Sequence, residues 1–404
     1  MKILFLAPHP FFQHRGTPIA DRAVLEVLSG RGDTVDVLCF PEGELVEVAG
    51  CTIHRVGAIP GIRGVRPGFS LKKLAYDVEM FPHCVGMMRR GRYDLVHAVE
   101  ESAFMALTLK KLFGVPYVYD MDSSLAQQLT EKFPSLGAAR RMLERFEGRV
   151  VRESLGVVAV CKALEDVAAG YARDTVIHCV EDFSLLPDRN GAGDASGRSE
   201  IDAELQSLSS SGRVILYVGN LEPYQGIDLL IDAFRLVADR VADAKLVVVG
   251  GHPADVQHYR TKVQGSAIVD RIRFVGPRPL AALPHVLRHA TIVASPRLKG
   301  QNTPMKVYSY LDSDRPLIAT RLPTHTQVLD SEIALLVEPT PESMADGLAR
   351  LLDDPALRAR LVRAAAHRVR AEYSRDAYHR KMMAFYDAVE RQLHLSRSRG
   401  ALPA

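Results

Sequence analysis

The chain alternates short, wholly apolar runs with longer stretches whose apolar residues recur at helical spacing, and it does so twice. Ile3–Ala7, Thr34–Phe40, Leu95–Ala98, Tyr117–Tyr119 and Val157–Val160 are runs of the first kind. Ile19–Leu28 is of the second kind, with Ile19, Ala23, Val24, Val27 and Leu28 on one helical face. Strands apolar on both faces, joined by crossovers, require a parallel sheet with helices on both sides. The rhythm lapses at 187–212, where 26 residues hold six Ser and four Gly without a period. It then restarts, with predicted strands at Val214–Val218, Lys245–Val249, Ile272–Val275, Ile292–Ala294, Leu317–Ala319 and Ala334–Val337. Predicted helices cover Ile227–Val241, Pro341–Leu352, Pro355–Tyr373 and about 376–393.

The pattern therefore predicts an α/β protein of two facing, Rossmann-like, doubly wound domains. The first covers 1–186, a linker or insertion covers 187–212, and the second covers 213–375. Residues 376–404 form a helix packing back on the first domain, followed by a frayed tail. Ligands of such sheets sit at the carboxyl ends of strands, so an interdomain cleft is the expected site.

Composition narrows the classes. At 404 residues with 47% hydrophobic and 25% charged residues, the chain fills two cores without staples. A net charge of +3 is too mild for a nucleic-acid binder, and no nucleic-acid partner is expected. Five cysteines with no C-x-x-C spacing argue against a disulfide framework or a zinc knuckle. The first apolar run stops at Pro8, too short for a secretory core, and no 18-residue apolar run occurs. A cytoplasmic protein is expected.

Five loops follow predicted strands. Arg15-Gly16-Thr17-Pro18 brings a glycine to a helix start, where bare amides face a ligand. Gly219 to Gly226 repeats strand, glycine-bearing loop and helix, without the G-x-G-x-x-G of dinucleotide binders. In Ser295–Leu311, Thr303 fits an N-cap and Pro304 the first helical position. Arg297, Lys299 and Lys306 beside that start suit a diphosphate. His97 is expected to end a strand and face the cleft. Asp120-Met121-Asp122 has the Asp-x-Asp spacing of Mg-dependent phosphohydrolases and of metal-dependent glycosyltransferases.

Taken together in order, these motifs resemble glycosyltransferase family 4. Val218-Gly219-Asn220-Leu221-Glu222-Pro223-Tyr224-Gln225-Gly226-Ile227-Asp228-Leu229-Leu230 is similar to V-G-R-L-x-x-x-K-G-x-x-x-L. Arg273–Gly276 resembles F-x-G, Arg315–Thr320 resembles G-K-P-V-V-A-T, and Leu335–Pro339 resembles G-L-L-V-x-P. The Gly16 loop and Asp94–His97 resemble the first-domain pattern more loosely. The resemblance implies the GT-B fold and transfer of a sugar from a UDP- or GDP-sugar, with retention of anomeric configuration. It implies no metal and no cofactor. His97 would be the catalytic residue, contacting the transferred sugar near the reacting carbon. Gly16, Gly219, Asn220, Gln225, Lys299, Gly300, Gln301, Asn302, Thr303, Lys306 and Ser309 would bind the donor. Thr17, Glu100 and Asp120 would lie on the acceptor side.

The chain departs from that pattern at telling places. Asn220 and Gln225 stand where the family has Arg and Lys on the diphosphate. Gln301 and Ser309 stand in place of a Glu-x7-Glu pair, which weakens the grip on the donor ribose. These losses motivate a second reading, a non-catalytic GT-B binding or regulatory protein; a phosphohydrolase using Asp120 and Asp122 and a sugar epimerase are minor ones. Residues 55–92 carry eight Lys/Arg against Asp77 and Glu79, interleaved with Leu71, Leu74, Val78 and Phe81. A basic, partly apolar segment suits peripheral contact with anionic lipid, through which a carbohydrate or lipid-linked acceptor is reached.

Overall fold

The computed structural model describes residues 1–13, 16–65, 70–132, 140–172, 174–187 and 200–398. The chain divides into two compact units, Met1–Glu181 with Tyr378–Ala404, and Asp182–Ala377.

The first unit runs β1 (Lys2–Pro10), α1 (Gly16–Gly30), β2 (Thr34–Phe40), β3 (Cys51–Arg55), α2 (Leu71–Arg90), β4 (Leu95–Val99), α3 (Ser102–Phe113) and β5 (Tyr117–Met121). It continues through α4 (Leu125–Lys132), α5 (Arg140–Glu153), β6 (Gly156–Ala159), α6 (Lys162–Tyr171) and β7 (Val176–Cys179). The strands form one parallel sheet in the order β3-β2-β1-β4-β5-β6-β7. Ile3 to Ala7 of the interior strand β1 are fully buried, as a strand covered on both faces must be. The edge strands β3 and β7 escape the apolar-run criterion because Cys-Thr-Ile-His-Arg and Val-Ile-His-Cys are only half buried.

The second unit runs α7 (Glu200–Ser210), β8 (Arg213–Val218), α8 (Ile227–Arg240), β9 (Ala244–Val249), α9 (Pro253–Val263), β10 (Ile272–Gly276), α10 (Leu283–Arg288) and β11 (Ile292–Ser295). It ends with α11 (Lys306–Leu311), β12 (Leu317–Thr320), α12 (Pro323–Thr326), β13 (Leu335–Val337), α13 (Pro341–Asp353) and α14 (Pro355–Arg368), the last continuing as a π-turn through Tyr373. Its parallel sheet has the order β10-β9-β8-β11-β12-β13. Ile227, Leu230, Ala233, Phe234 and Val237 bury one face of α8 against it. The stretch 187–212 is not simply a linker. Residues 188–199 lie outside the described ones, but α7 is a helix that packs on β8 and α10 and buries Leu205. Its Ser-rich composition conceals the spacing Ile201, Leu205 and Leu208, which is helical.

The last helix, α15 (Arg375–Ser398), returns to the first unit from Tyr378 onward. Arg31 donates to Glu390 at 2.9 Å and to Asp387, and Arg397 donates to Asp94 at 2.8 Å. Gly156 on β6 makes room for this helix: a Cβ there would stand 3.0 Å from the Phe385 ring.

Candidate active site

In an open parallel sheet the strand order reverses at one point, and the crevice at the carboxyl ends there is where ligands bind. In the second unit the reversal falls between β8 and β11. The loop after β8 and the loop after β11 meet at this point. Gly226 has φ 75°, and a Cβ on it would lie 2.0 Å from the Pro296 carbonyl oxygen, so only glycine fits where the loops cross. A Cβ on Gly219 would lie 2.9 Å from Lys306 Nζ. The bare backbone of Gly219 is what leaves space for that ammonium.

Lys306 Nζ donates to the Tyr217 hydroxyl at 2.8 Å and to Gln225 Oε1 at 2.9 Å. It also lies 4.0 Å from the centre of the Tyr217 ring, a cation–π contact. Tyr217 in turn donates to the Asn220 carbonyl at 2.6 Å. Arg297 is buried, donates through Nε to the Lys299 carbonyl, and stands over the Tyr224 ring. Gly300, at φ 123°, lies against its guanidinium, where a Cβ would collide. Burial, and then the charge of Arg297, holds Lys306 well below the ordinary lysine range. Burial likewise lowers Arg297. Among the described residues neither cation makes an ion pair with a carboxylate. Two desolvated cations without a counter-ion are costly until an anion joins them.

Beneath the loop His325 is fully buried. Its Nδ1–H donates to the Thr320 carbonyl at 2.8 Å, and its Nε2 accepts from the Ser295 hydroxyl at 2.9 Å. Burial pushes its pKa down to about 4. This neutral ring fixes the end of β11, and with it the start of the Arg297 loop.

The remaining predicted donor residues scatter in role. Gln301 is half-buried, and its carbonyl accepts from Gln327. Asn302 Oδ1 accepts from Arg297 at 3.4 Å, while Lys299 is exposed. Thr303 is not an N-cap: α11 starts three residues later, at Lys306, and the buried Thr303 Oγ1 has no partner. Pro304 and Met305 do not enter the helix, which is only six residues long. Ser309 is fully buried on α11, and its hydroxyl accepts from the Leu185 amide at 3.0 Å. It is therefore committed to the interior of its own unit rather than presented to a ribose.

In the first unit the reversal falls between β1 and β4. Gly16 and Thr17 open α1 at this end, and Arg15 lies outside the described residues. Glu100, with φ 49°, follows β4, and its amide donates to the Asp120 carbonyl at 2.9 Å. His97 is not at the strand end. It is the middle residue of β4, fully buried and stacked 4.3 Å from Phe5. Its Nε2–H donates to Asp120 Oδ2 at 3.1 Å, because a carboxylate only accepts, and Nδ1 then accepts from Tyr386 at 2.6 Å. Both nitrogens are spent inside the unit. His97 thus holds Asp120 in place.

Three residues here were not anticipated. His9, at the end of β1, pairs with the buried Asp21 at 2.9 Å. Lys73, counted with the basic segment, turns inward to Glu100 at 3.1 Å and to Glu101. Burial, then Asp120, Asp122 and Glu100, holds Asp21 well above the usual carboxylate range. Asp21 is the acidic residue among the buried positions of α1, the one sequence signal that marked it. These carboxylates can accept hydrogen bonds from hydroxyl groups. No group of three or more His, Cys, Asp or Glu among the described residues is arranged to hold a metal ion.

Two doubly wound parallel-sheet units, one with Arg297 and Lys306 at its reversal point, are the architecture of the GT-B glycosyltransferases. The chain belongs to the group 1 glycosyltransferases: residues 212–354 match the model "Glycosyl transferases group 1" and residues 22–178 match "Glycosyl transferase 4-like domain". It is 28% identical over 340 residues to a D-inositol 3-phosphate glycosyltransferase of Corynebacterium glutamicum, covering 79% of this chain and 78% of that one. It is 25% identical over 394 residues to a phosphatidyl-myo-inositol mannosyltransferase of Mycobacterium leprae, covering 96% and 97%. Its fold superposes on an Anabaena protein solved with UDP-glucose at a TM-score of 0.72 and 16% identity, covering 96% of this chain and all of that one. The chain is accordingly a glycosyltransferase.

Proposed function

We propose that this glycosyltransferase takes its sugar from a nucleotide-diphosphate donor held at the second unit's reversal point, with retention of anomeric configuration and without a metal. The observation that carries the reading is the Arg297–Lys306 pair, desolvated and without a carboxylate among the described residues. Negative charge grows on the diphosphate as the glycosidic bond breaks, and cations already in place stabilise that charge most where water is excluded. Lys306 takes over from the cations missing at Asn220 and Gln225. The Anabaena structure holding UDP-glucose makes UDP the first base to try.

The acceptor is a polyhydroxylated molecule, either a small cyclitol or sugar or a lipid-linked one. The inositol-based names of the two bacterial relatives support both forms. On the first unit, Glu100, Asp120 and Asp21 supply hydrogen-bond acceptors for its hydroxyl groups. With Ser309 withdrawn, the ribose is held less firmly than a carboxylate would hold it, by about 1.5–3 kcal/mol.

A thermal-shift panel of UDP, GDP and their sugars, with chelator present, tests the donor reading. A rise in Tm with one base, followed by slow donor hydrolysis, is expected. No shift and no hydrolysis with any member of the panel would overturn it. Proton NMR of the product's anomeric centre decides retention.

A further inference from the structure

The outer edge of the second sheet carries a groove that the donor loops do not reach. The sheet order ends at β10, so one side of that strand has no neighbouring strand among the described residues. Beside it lies a cavity of about 410 Å³, within the size range of small-molecule sites. Arg260 of α9, Arg273 of β10 and Arg278 just beyond that strand line it, with Val263 and Val269 as an apolar wall. Glu204 of α7 is the one acid among its lining residues. None of the lining residues belongs to the loops after β8 and β11. Val263 and Val269 precede β10, so the groove reaches the amino end of that strand, whereas the donor crevice lies at the carboxyl ends.

The three guanidinium groups are fixed by the backbone. Arg260 donates to the Phe274 carbonyl at 2.6 Å, Arg273 to the Ile272 carbonyl at 3.0 Å and Arg278 to the Pro277 carbonyl at 2.8 Å. Each of these bonds uses one of the five N–H donors that a guanidinium carries. None of the three has a carboxylate partner among the described residues. The same bonds decide what the groove can hold. A peptide that extends a sheet needs the free carbonyls and amides of the edge strand. On β10 the Ile272 and Phe274 carbonyls already accept from arginines, which blocks the edge against strand addition. What remains is three cations and one acid beside an apolar wall, a net of two positive charges. A phosphate monoester, at about −1.5 to −2 near pH 7, neutralises that charge. Guanidinium forks also match phosphate oxygens in geometry.

We infer that this edge groove is a second anion site, which takes the phosphate monoester of a small organic molecule and is separate from the pocket of Arg297 and Lys306. The arginines hold the phosphate, and Val263 and Val269 cover the organic part.

Isothermal titration of the full chain with phenyl phosphate, in the presence of excess UDP, tests it. One molecule per chain is expected, bound more tightly than inorganic phosphate because the ring covers the apolar wall, and weakened by salt. Phenol, which has the ring without the charge, should not bind. Arg260→Gln and Arg273→Gln should each weaken binding about tenfold, the low end for a charge-assisted hydrogen bond. Glu204→Gln should tighten it severalfold, a gain that a misfolded variant does not produce. Lys306→Met, which disables the other anion pocket, should leave the affinity for phenyl phosphate unchanged. No binding of phenyl phosphate, binding that Lys306→Met abolishes, or binding that all three groove substitutions leave unchanged would each overturn the inference. Polyglutamate that displaces phenyl phosphate and binds more tightly would make the groove a protein-docking surface and overturn it as well.

Discussion

Lys306 Nζ lies 2.9 Å from Gln225 Oε1, so an amide occupies the place where the resembled pattern has a cation, and it holds the amine delivered from the start of α11. Gln225 and Lys306 are one unit of charge presented by two residues. Lys306→Met should therefore weaken nucleotide-diphosphate binding by about 10- to 100-fold, the loss of one charge-assisted hydrogen bond at roughly 1.5–3 kcal/mol. Isothermal titration with UDP or GDP measures it. Gln225→Lys tests the same geometry from the other side. Two ammonium groups within hydrogen-bond distance repel, so the free protein should lose Tm and regain it when the nucleotide binds.

The His97 ring joins β4 to α15 and should matter to stability rather than to substrate contact. His97→Ala leaves a cavity and strands the Asp120 carboxylate and the Tyr386 hydroxyl, at a cost of about 3–5 kcal/mol. Tyr386→Phe removes one hydrogen bond and should cost about 1 kcal/mol. Urea denaturation gives both values. If His97→Ala unfolds at wild-type urea concentration, the structural role assigned to the ring is wrong.

The buried His325 gives the second unit a pH dependence of definite sign. Its pKa is about 4 when folded and near 6.5 when unfolded. The unfolded chain therefore binds the proton first. The contribution to stability is fully present above about pH 6.5 and is lost as pH falls toward 4. The lost amount is on the order of 3 kcal/mol, at about 1.4 kcal/mol per unit. Urea midpoints should fall over this interval, and His325→Gln should flatten that part of the profile.

Gly226 is the position where two loops pass closest. Gly226→Ala would force a left-handed residue, costing about 1–2 kcal/mol, and a Cβ 2.0 Å from the Pro296 carbonyl. The loops must part, and Gln225 and Arg297 move with them. Loss of nucleotide response at temperatures well below the Tm is the expected outcome. The exposed Gly170→Ala, away from these loops and with no atom within 4 Å of the new methyl group, serves as the control.

Apolar period and strand-end glycines made the fold legible in the sequence, because parallel sheets are buried on both faces and write their strands as continuous runs. Half-buried edge strands such as Cys51–Arg55 carry no such mark. The donor loops were legible as a group but not in detail. Nothing local distinguishes a Thr-Pro that caps a helix from one that stops short of it, and Thr303 does the latter. His97 looked like a strand-end residue because neither Phe5 nor Tyr386, 289 positions away, can be read as its neighbour from sequence. In the sequence Lys73 is one more cation of a basic segment; only the packing of α2 shows it turned toward Glu100 and Glu101.

The return of α15 to the first unit makes that unit discontinuous in the chain, with all of Asp182–Ala377 inserted between its parts. During synthesis the first sheet emerges early but must wait for the last helix before Tyr386 can close over His97 and Arg31 can meet Asp387 and Glu390. Until then the His97 ring and the Arg31 guanidinium, which keeps only Asp33, face an unfinished side of the unit. Premature termination anywhere in the second unit would thus leave both halves of the enzyme incomplete, not just the half that was cut. A fragment ending near residue 181 is not an autonomous domain, whereas adding α15 back as a separate peptide is a route to restoring one.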